Sequence, residues 1–129
     1  MDMKEFMLLI RNDSDAKARF SPDDEKQFID ACMVYIDALT KNGHLKAAQP
    51  LIREGRMVSG TPGAFKDGPY SESKEVIVGY YHILAKDIDE AIEIAKGNPE
   101  FTYTRSARIE VRPIKTREDS ANKNYPSGK

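Results

Sequence analysis

Lys66-Asp67-Gly68-Pro69-Tyr70-Ser71-Glu72-Ser73-Lys74-Glu75 gathers carboxylates, a lysine and a phenol around a turn signal. Asp bonds its own backbone ahead, Gly takes φ > 0, and Pro fixes φ, so Asp-Gly-Pro predicts a rigid turn. Asp67 at the mouth of a pocket between sheet and helices can serve as a general base or orient a ligand. It can equally cap the turn through the amides beyond Pro69. Glu72, Lys74 and Glu75 can hold a polar ligand or stay as solvated loop charges. Tyr70 can donate to a ligand, act as a lid, or pack at the loop tip or a dimer contact.

His82 and Tyr80 stand two residues apart in the following apolar run, and so on one face of a strand. Covered by helices, that pair would line a pocket. On a dimer face, His82 would be an interface histidine with its hydrogen bonds met. Asp67 and His82 are the candidate acid-base residues. Tyr70, Glu72, Lys74 and Tyr80 are the candidate ligand-binding residues. His44 follows the first helix, where the helix dipole favours a cation. Cys32 lies on an apolar helical stripe and reads as a small buried hydrophobe. Arg108 and Arg112 share a strand face, where they can hold an anion, protect an edge or form salt bridges. Two distant histidines and one cysteine give no metal-ligand spacing, so neither metal nor cofactor is expected. There is no phosphate-cradling Gly motif and no nucleophile elbow.

At 129 residues the chain is one domain, long enough to bury a core without staples. With 40% hydrophobic and 32% charged residues and a net charge of −1, it reads as an ordinary soluble protein. The missing basic surplus argues against nucleic acid as a partner. No apolar run approaches the ~20 residues needed to span a bilayer. The start, Met-Asp-Met-Lys-Glu, lacks the pattern of a signal peptide. With a single cysteine, the expectation is a cytoplasmic protein.

The elements that must position these residues follow from periodicity. Residues 5–11 are nearly all apolar and predict a strand buried on both faces. Residues 12–20 read as a loop. Ser21 as N-cap, Pro22 at the first position and three acids after it open a helix over residues 22–42. Phe28, Ile29, Cys32, Met33, Ile36 and Leu39 form its apolar stripe. Residues 45–52 predict a weaker strand and 56–59 another, with Glu54-Gly55 as the hairpin turn between them. Residues 60–63 begin a long loop that ends in the Asp67 turn. Residues 76–84 are the strongest strand, and Gly79 inside it signals a bulge or a close backbone approach. Asp87 with Glu90 forms a capping box for a second helix, which Gly97-Asn98-Pro99 ends. Residues 107–114 alternate as a last strand, with Pro113 favouring an edge position. Residues 115–129 carry no apolar period and read as a disordered tail.

The order β-α-β-β-β-α-β predicts an α+β ferredoxin-like sandwich, with two helices on one face of a mostly antiparallel sheet. The first strand and the 76–84 strand are apolar on both sides, so the other face needs cover. A second copy supplies it, and a homodimer packed sheet to sheet is expected.

Asp67-Gly68-Pro69-Tyr70 followed by Glu72, Lys74 and Glu75 resembles the Asp-Gly-Pro-Phe signature of the YCII-related (DGPF) domain family, with Tyr in place of Phe. Gly79-Tyr80-Tyr81 resembles its Gly-Tyr-Tyr strand. The opening Phe6-Met7-Leu8-Leu9-Ile10, Asp89-Glu90-Ala91 and Glu110-Val111-Arg112-Pro113-Ile114 agree in order over residues 4–114. The resemblance implies a dimeric α+β barrel over residues 1–114. The family is largely without assigned chemistry, although some relatives carry a His/Asp pair proposed to be catalytic. Bacterial members are often encoded beside extracytoplasmic-function sigma factors, so the resemblance implies a sigma factor as one regulatory partner. Two functions are expected. One is a dimeric module that binds a small polar or anionic metabolite or regulates a partner. The alternative is a cofactor-independent enzyme using Asp67 and His82.

Overall fold

The computed structural model of the protein describes residues 2–69 and 74–126. Strand β1 (Lys4–Asp13) buries Phe6, Leu8, Ile10 and Asn12 on one side and leaves Glu5, Met7, Leu9 and Arg11 half-covered on the other. Helix α1 (Pro22–Lys41) starts as its sequence dictates. Ser21 Oγ accepts from the Asp24 amide, and Asp24 Oδ2 accepts from the Ser21 amide, each at 3.0 Å. Strand β2 (Leu45–Pro50) follows, then β3 (Arg56–Thr61), β4 (Ala64–Pro69) and β5 (Glu75–Ala85). Helix α2 (Ile88–Lys96) and the one-turn α3 (Glu100–Tyr103) precede β6 (Arg108–Pro113).

The main sheet has the order β2-β5-β1-β6, and every neighbouring pair is antiparallel. Setting aside β3 and β4, this is the ferredoxin-like arrangement. The core lies on the helix side. Leu8, Ile10, Val78, Tyr81 and Ile83 from the sheet meet Tyr35, Ile36 and Leu39 of α1 and Ala91, Ile94 and Ala95 of α2. On β6, Ile109 and Val111 turn toward the same core. Pro113 sits on an edge strand, where its missing donor costs no ladder bond.

Gly79 meets both expectations. The β1–β5 register slips between Ile10, opposite Gly79, and Arg11, opposite Ile77. Val78 is the extra residue, and Val78 and Gly79 are both buried. A Cβ on Gly79 would also lie 3.0 Å from the Gln49 carbonyl oxygen on β2. Asp87 caps α2 by accepting from the Glu90 amide at 2.9 Å. The Glu90 carboxylate reaches one residue further back than a capping box requires, to the Lys86 amide.

Three expectations are corrected. Glu54-Gly55 does not join β2 and β3 into a hairpin: β2 pairs with β5, and β3 pairs with β4 in a separate two-stranded sheet. The loop expected from residue 60 is instead the tight turn of that hairpin. Thr61 pairs with Ala64 across Pro62-Gly63, where Pro presets φ and Gly63 takes φ +86°. Asp67 and Gly68 are therefore strand residues opposite Val58 and Met57, not a turn. The four residues of α3 were not anticipated, because one helical turn is too short to show a period. In the segment expected as a disordered tail, Arg117–Asp119 form a 3-10 turn in which Asp119 Oδ2 accepts from the Thr116 amide and hydroxyl, each at 2.9 Å.

Candidate functional site

The β3–β4 hairpin presents Asp67. Its carboxylate takes a two-pronged contact from Arg56, donating through Nε at 2.9 Å and through Nη2. Both side chains are exposed, and every residue of β3 is exposed. Asp67 does not line the space between sheet and helices. Lys74, just before β5, is exposed, with Nζ 3.9 Å from Asp13 Oδ2. Tyr70 and Glu72 lie outside the described residues.

Tyr80 and His82 share a face, as their spacing requires, and that face points away from the helices. His82 Nε2 lies 2.6 Å from Glu5 Oε1 and is half-buried. Lys46 Nζ reaches the same oxygen at 3.4 Å. Burial pushes the Glu5 carboxyl up, but the hydrogen bonds from His82 and Lys46 outweigh it and hold the group below the usual carboxylate range. With Nε2–H donating to Glu5, Nδ1 would be left as the acceptor, the arrangement in which a carboxylate orients an imidazole base. Asp67 and His82 thus take different partners on different sheets. His44, just past α1, contacts the Leu84 carbonyl through Nδ1 at 2.8 Å, a structural role.

The remainder of the open face has an apolar centre, Met7, Leu9, Ile77, Tyr80 and Leu84, with a charged border. There Arg11 bonds Glu110 at 3.1 Å, Arg112 bonds Glu110 at 3.1 Å, and Arg108 pairs with Glu75. The two β6 arginines are thus salt-bridged on an edge strand.

On the helix side, Tyr35, Ile36 and Leu39 in the C-terminal half of α1 pack on the core. Toward its start the helix leans on Tyr103 of α3, whose ring meets Phe28 edge-on at 5.6 Å. Between α1 and strands β1, β2 and β5 a cleft of about 260 Å³ opens. Phe28, Ile29, Cys32, Met33 and Ile36 form the helix wall, and Ile10, Ala48, Pro50, Val78 and Gly79 the sheet wall. Ile29 and Met33, expected to pack in the core, are 49% and 63% exposed. Cys32 is half-buried rather than buried. Burial, and after it the Glu100 carboxylate, push its thiol up, away from the thiolate that would make it a nucleophile.

The polar end of the cleft is Asn98, Glu100 and Tyr81. Glu100 is 4% exposed, and its Oε1 accepts from Asn12 Nδ2 at 2.8 Å and from Lys17 Nζ at 2.7 Å. Lys17 also sits 4.1 Å above the Phe28 ring. Asn98 is 2% exposed, and its Oδ1 accepts from the Glu100 amide at 2.8 Å. That bond fixes which way the carboxamide points, because only oxygen can accept. Its Nδ2 then has no hydrogen-bond partner among the described residues. The Tyr81 hydroxyl lies beside it. Burial raises that phenol's pKa well above its usual range, the nearby Cys32 and Glu100 add to the rise, and the Asn98 amide opposes it without forming a well-directed bond.

A family model described as the YCII-related domain matches residues 4–117. The chain belongs to the YCII-related domain family. No curated protein matches it. The match spans every element that builds the cleft and the open face of this YCII domain. The sequence did not point to the cleft's polar residues. Asn98 read only as part of a helix stop, and Glu100 lies in the helix too short to detect. The available signal was the width of the α1 stripe: Phe28, Ile29, Cys32 and Met33 offer more apolar surface than one packed face uses.

Proposed function

We propose that this YCII domain is a homodimeric binding module that takes a small molecule in the cleft under α1. The observation that carries the reading is Asn98 Nδ2, a donor buried at the end of an apolar cleft with no partner among the described residues. A buried donor left unmet costs about 1–3 kcal/mol, so an acceptor brought by a ligand is bound with that much to recover. Function-bearing pockets have this form, apolar walls with a few placed polar groups.

The dimer half of the proposal is supported by Met7, Leu9, Ile77, Tyr80 and Leu84 on the open face. Two such faces meeting about a two-fold axis would cover roughly 1,600 Å² or more. His82 is then an interface residue balanced by Glu5. The setting is cytoplasmic, and ligand occupancy would adjust a protein partnership, with a sigma factor as the partner that family resemblance supplies. An acid-base reading is favoured by one observation, the 2.6 Å His82–Glu5 contact, in which Glu5 rather than Asp67 orients the imidazole.

A thermal-shift screen of small metabolites tests the ligand half, run on the wild type, Cys32→Phe and Asp67→Asn. A ligand at 100 times its Kd stabilises by about 2.7 kcal/mol, a shift of several degrees for this size. Compounds that stabilise the wild type and Asp67→Asn but not the cleft-filling Cys32→Phe support the reading. Compounds lost only in Asp67→Asn would move the site to the hairpin. Light scattering tests the dimer half: the wild type runs as a dimer and Leu9→Lys as a folded monomer. A monomeric wild type at micromolar concentration refutes it.

A further inference from the structure

The cleft's chemistry restricts what it can hold, and this step rests on the cleft being the ligand site. We infer that its ligand is a neutral, mainly apolar molecule of about one ring carrying a carbonyl-type acceptor, which receives the Asn98 Nδ2–H.

Three features of the site lead there. A cavity of ~150 Å³ suits one benzene ring, so about 260 Å³ takes a ring with a short polar substituent. The walls offer carbon and sulfur over most of their area, so a hydrated or multiply polar ligand would be stripped of water without return. At the polar end the charges are already matched. Glu100 is closed by Lys17 and Asn12, and among the described residues none that lines the cleft is cationic. An anion would meet the Glu100 carboxylate with no free positive partner. A cation would compete with Lys17 for Glu100 and leave Asn98 Nδ2 unmet, since a cation offers no acceptor. Only an uncharged acceptor satisfies Asn98 without adding a buried charge. Tyr81, which also lines the cleft, offers its hydroxyl as a second donor for the same oxygen. This reading departs from the polar or anionic metabolite that the charged Asp67 segment suggested.

Acetophenone, benzoate and benzylammonium test it, as three bodies of nearly one size that differ in charge. Binding is read by the 15N–1H shift of the Asn98 side-chain amide and by titration, on the wild type, Cys32→Phe and Asn98→Asp. The aspartate variant keeps the oxygen that accepts from the Glu100 amide and removes the donor. The expected result is that acetophenone binds tightest, moves the Asn98 amide resonance, weakens at least tenfold in Asn98→Asp, and is lost in Cys32→Phe. Benzoate or benzylammonium binding more tightly, and blocked by Cys32→Phe, would overturn the ligand class while leaving the cleft as the site. Binding that Cys32→Phe does not touch would remove the site itself. No binding of acetophenone at millimolar concentration would also overturn the inference. Should Asn98→Asp fail to fold, an unmoved Asn98 resonance in the saturated wild type is the refuting result.

Discussion

His82 on β5 and Glu5 on β1 are diagonal neighbours on the open face, joined Nε2 to Oε1 at 2.6 Å. Lys46 on β2 completes the contact, so three strands are tied at one carboxylate. Glu5 is held below its ordinary pKa of 4.5 in the fold, against burial, by these two partners. A carboxyl with a depressed folded pKa contributes stability above its unfolded pKa. That contribution is lost as the pH falls through the folded value. Wild type should therefore exceed Glu5→Gln in stability at neutral pH, by up to about 1 kcal/mol for a half-exposed pair. The difference should start to close as the pH falls below 4.5 and should vanish once it has passed below the folded value. Urea unfolding of both proteins across this range checks it, and a gap that persists in acid would show that the carboxylate charge is not what Glu5 contributes.

Gly79 is the place where β2 crowds β5. A methyl group there would stand 3.0 Å from the Gln49 oxygen and 3.3 Å from Pro50 Cα, both backbone atoms that yield only if the edge strand moves. Gly79→Ala should destabilise by about 1–3 kcal/mol, the usual range for overpacking. It should also narrow the cleft, which Gly79 lines, so acetophenone affinity should fall with stability. Chemical denaturation and titration together check this. A variant as stable as the wild type would mean that β2 shifts freely.

Asn12 holds the polar end of the cleft from behind. It is fully buried and donates to Glu100 Oε1 and to Thr104 Oγ1 at 2.8 and 2.9 Å, while its Oδ1 accepts from Ser106 Oγ and the Asp13 amide. Asn12→Leu leaves four polar groups short of a partner, Glu100 among them. The expected loss is on the order of 3 kcal/mol. Glu100 would then rely on Lys17 alone, so Lys17→Met should cost more in Asn12→Leu than in the wild type. A double-mutant cycle measures that coupling, and additive losses would show that the two donors act independently.

The sequence was legible where pattern and packing agree. Residues 5–11 are legible as a strand because apolar residues run nearly continuously, residues 76–84 because β-branched and aromatic residues dominate, and α1 starts at Pro22 because its cap chemistry is local. The β3–β4 hairpin was misread because two turn signals competed. Glu54-Gly55 and Pro62-Gly63 are both plausible, and short-range propensity does not say which strands pair. Asp67-Gly68-Pro69 reads as a turn for the same reason, whereas the ladder partner that makes Asp67 a strand residue, Val58, stands nine residues earlier. Which face His82 takes depends on the β5 bulge and on where the helices lie. Of the cleft, the sequence carries only the over-wide apolar stripe of α1 and nothing of its polar end. The cleft lies between α1 and strands β1, β2 and β5, and its polar end joins Tyr81 of β5 to Asn98 and Glu100, whose carboxylate is closed by Asn12 and Lys17 from far earlier in the chain.

The hairpin's independence sets apart the two candidate sites. β3 and β4 pair with each other and with neither β1, β2, β5 nor β6, and Met57, Val58 and Phe65 stay exposed. A lone two-stranded hairpin is marginally stable in water, so its exchange-protected amides should open far more readily than those of the main sheet. Asp67→Asn removes its cross-strand ion pair with Arg56. Amide hydrogen exchange in residues 56–67 should then accelerate, while β1 and β5 keep wild-type protection and the cleft keeps its affinity for acetophenone. Exchange measured by mass spectrometry, with titration of the same samples, separates the outcomes. If β5 protection or cleft binding fell in Asp67→Asn, Asp67 would be coupled to the body of the domain, and a role for it in ligand binding or catalysis would regain its place.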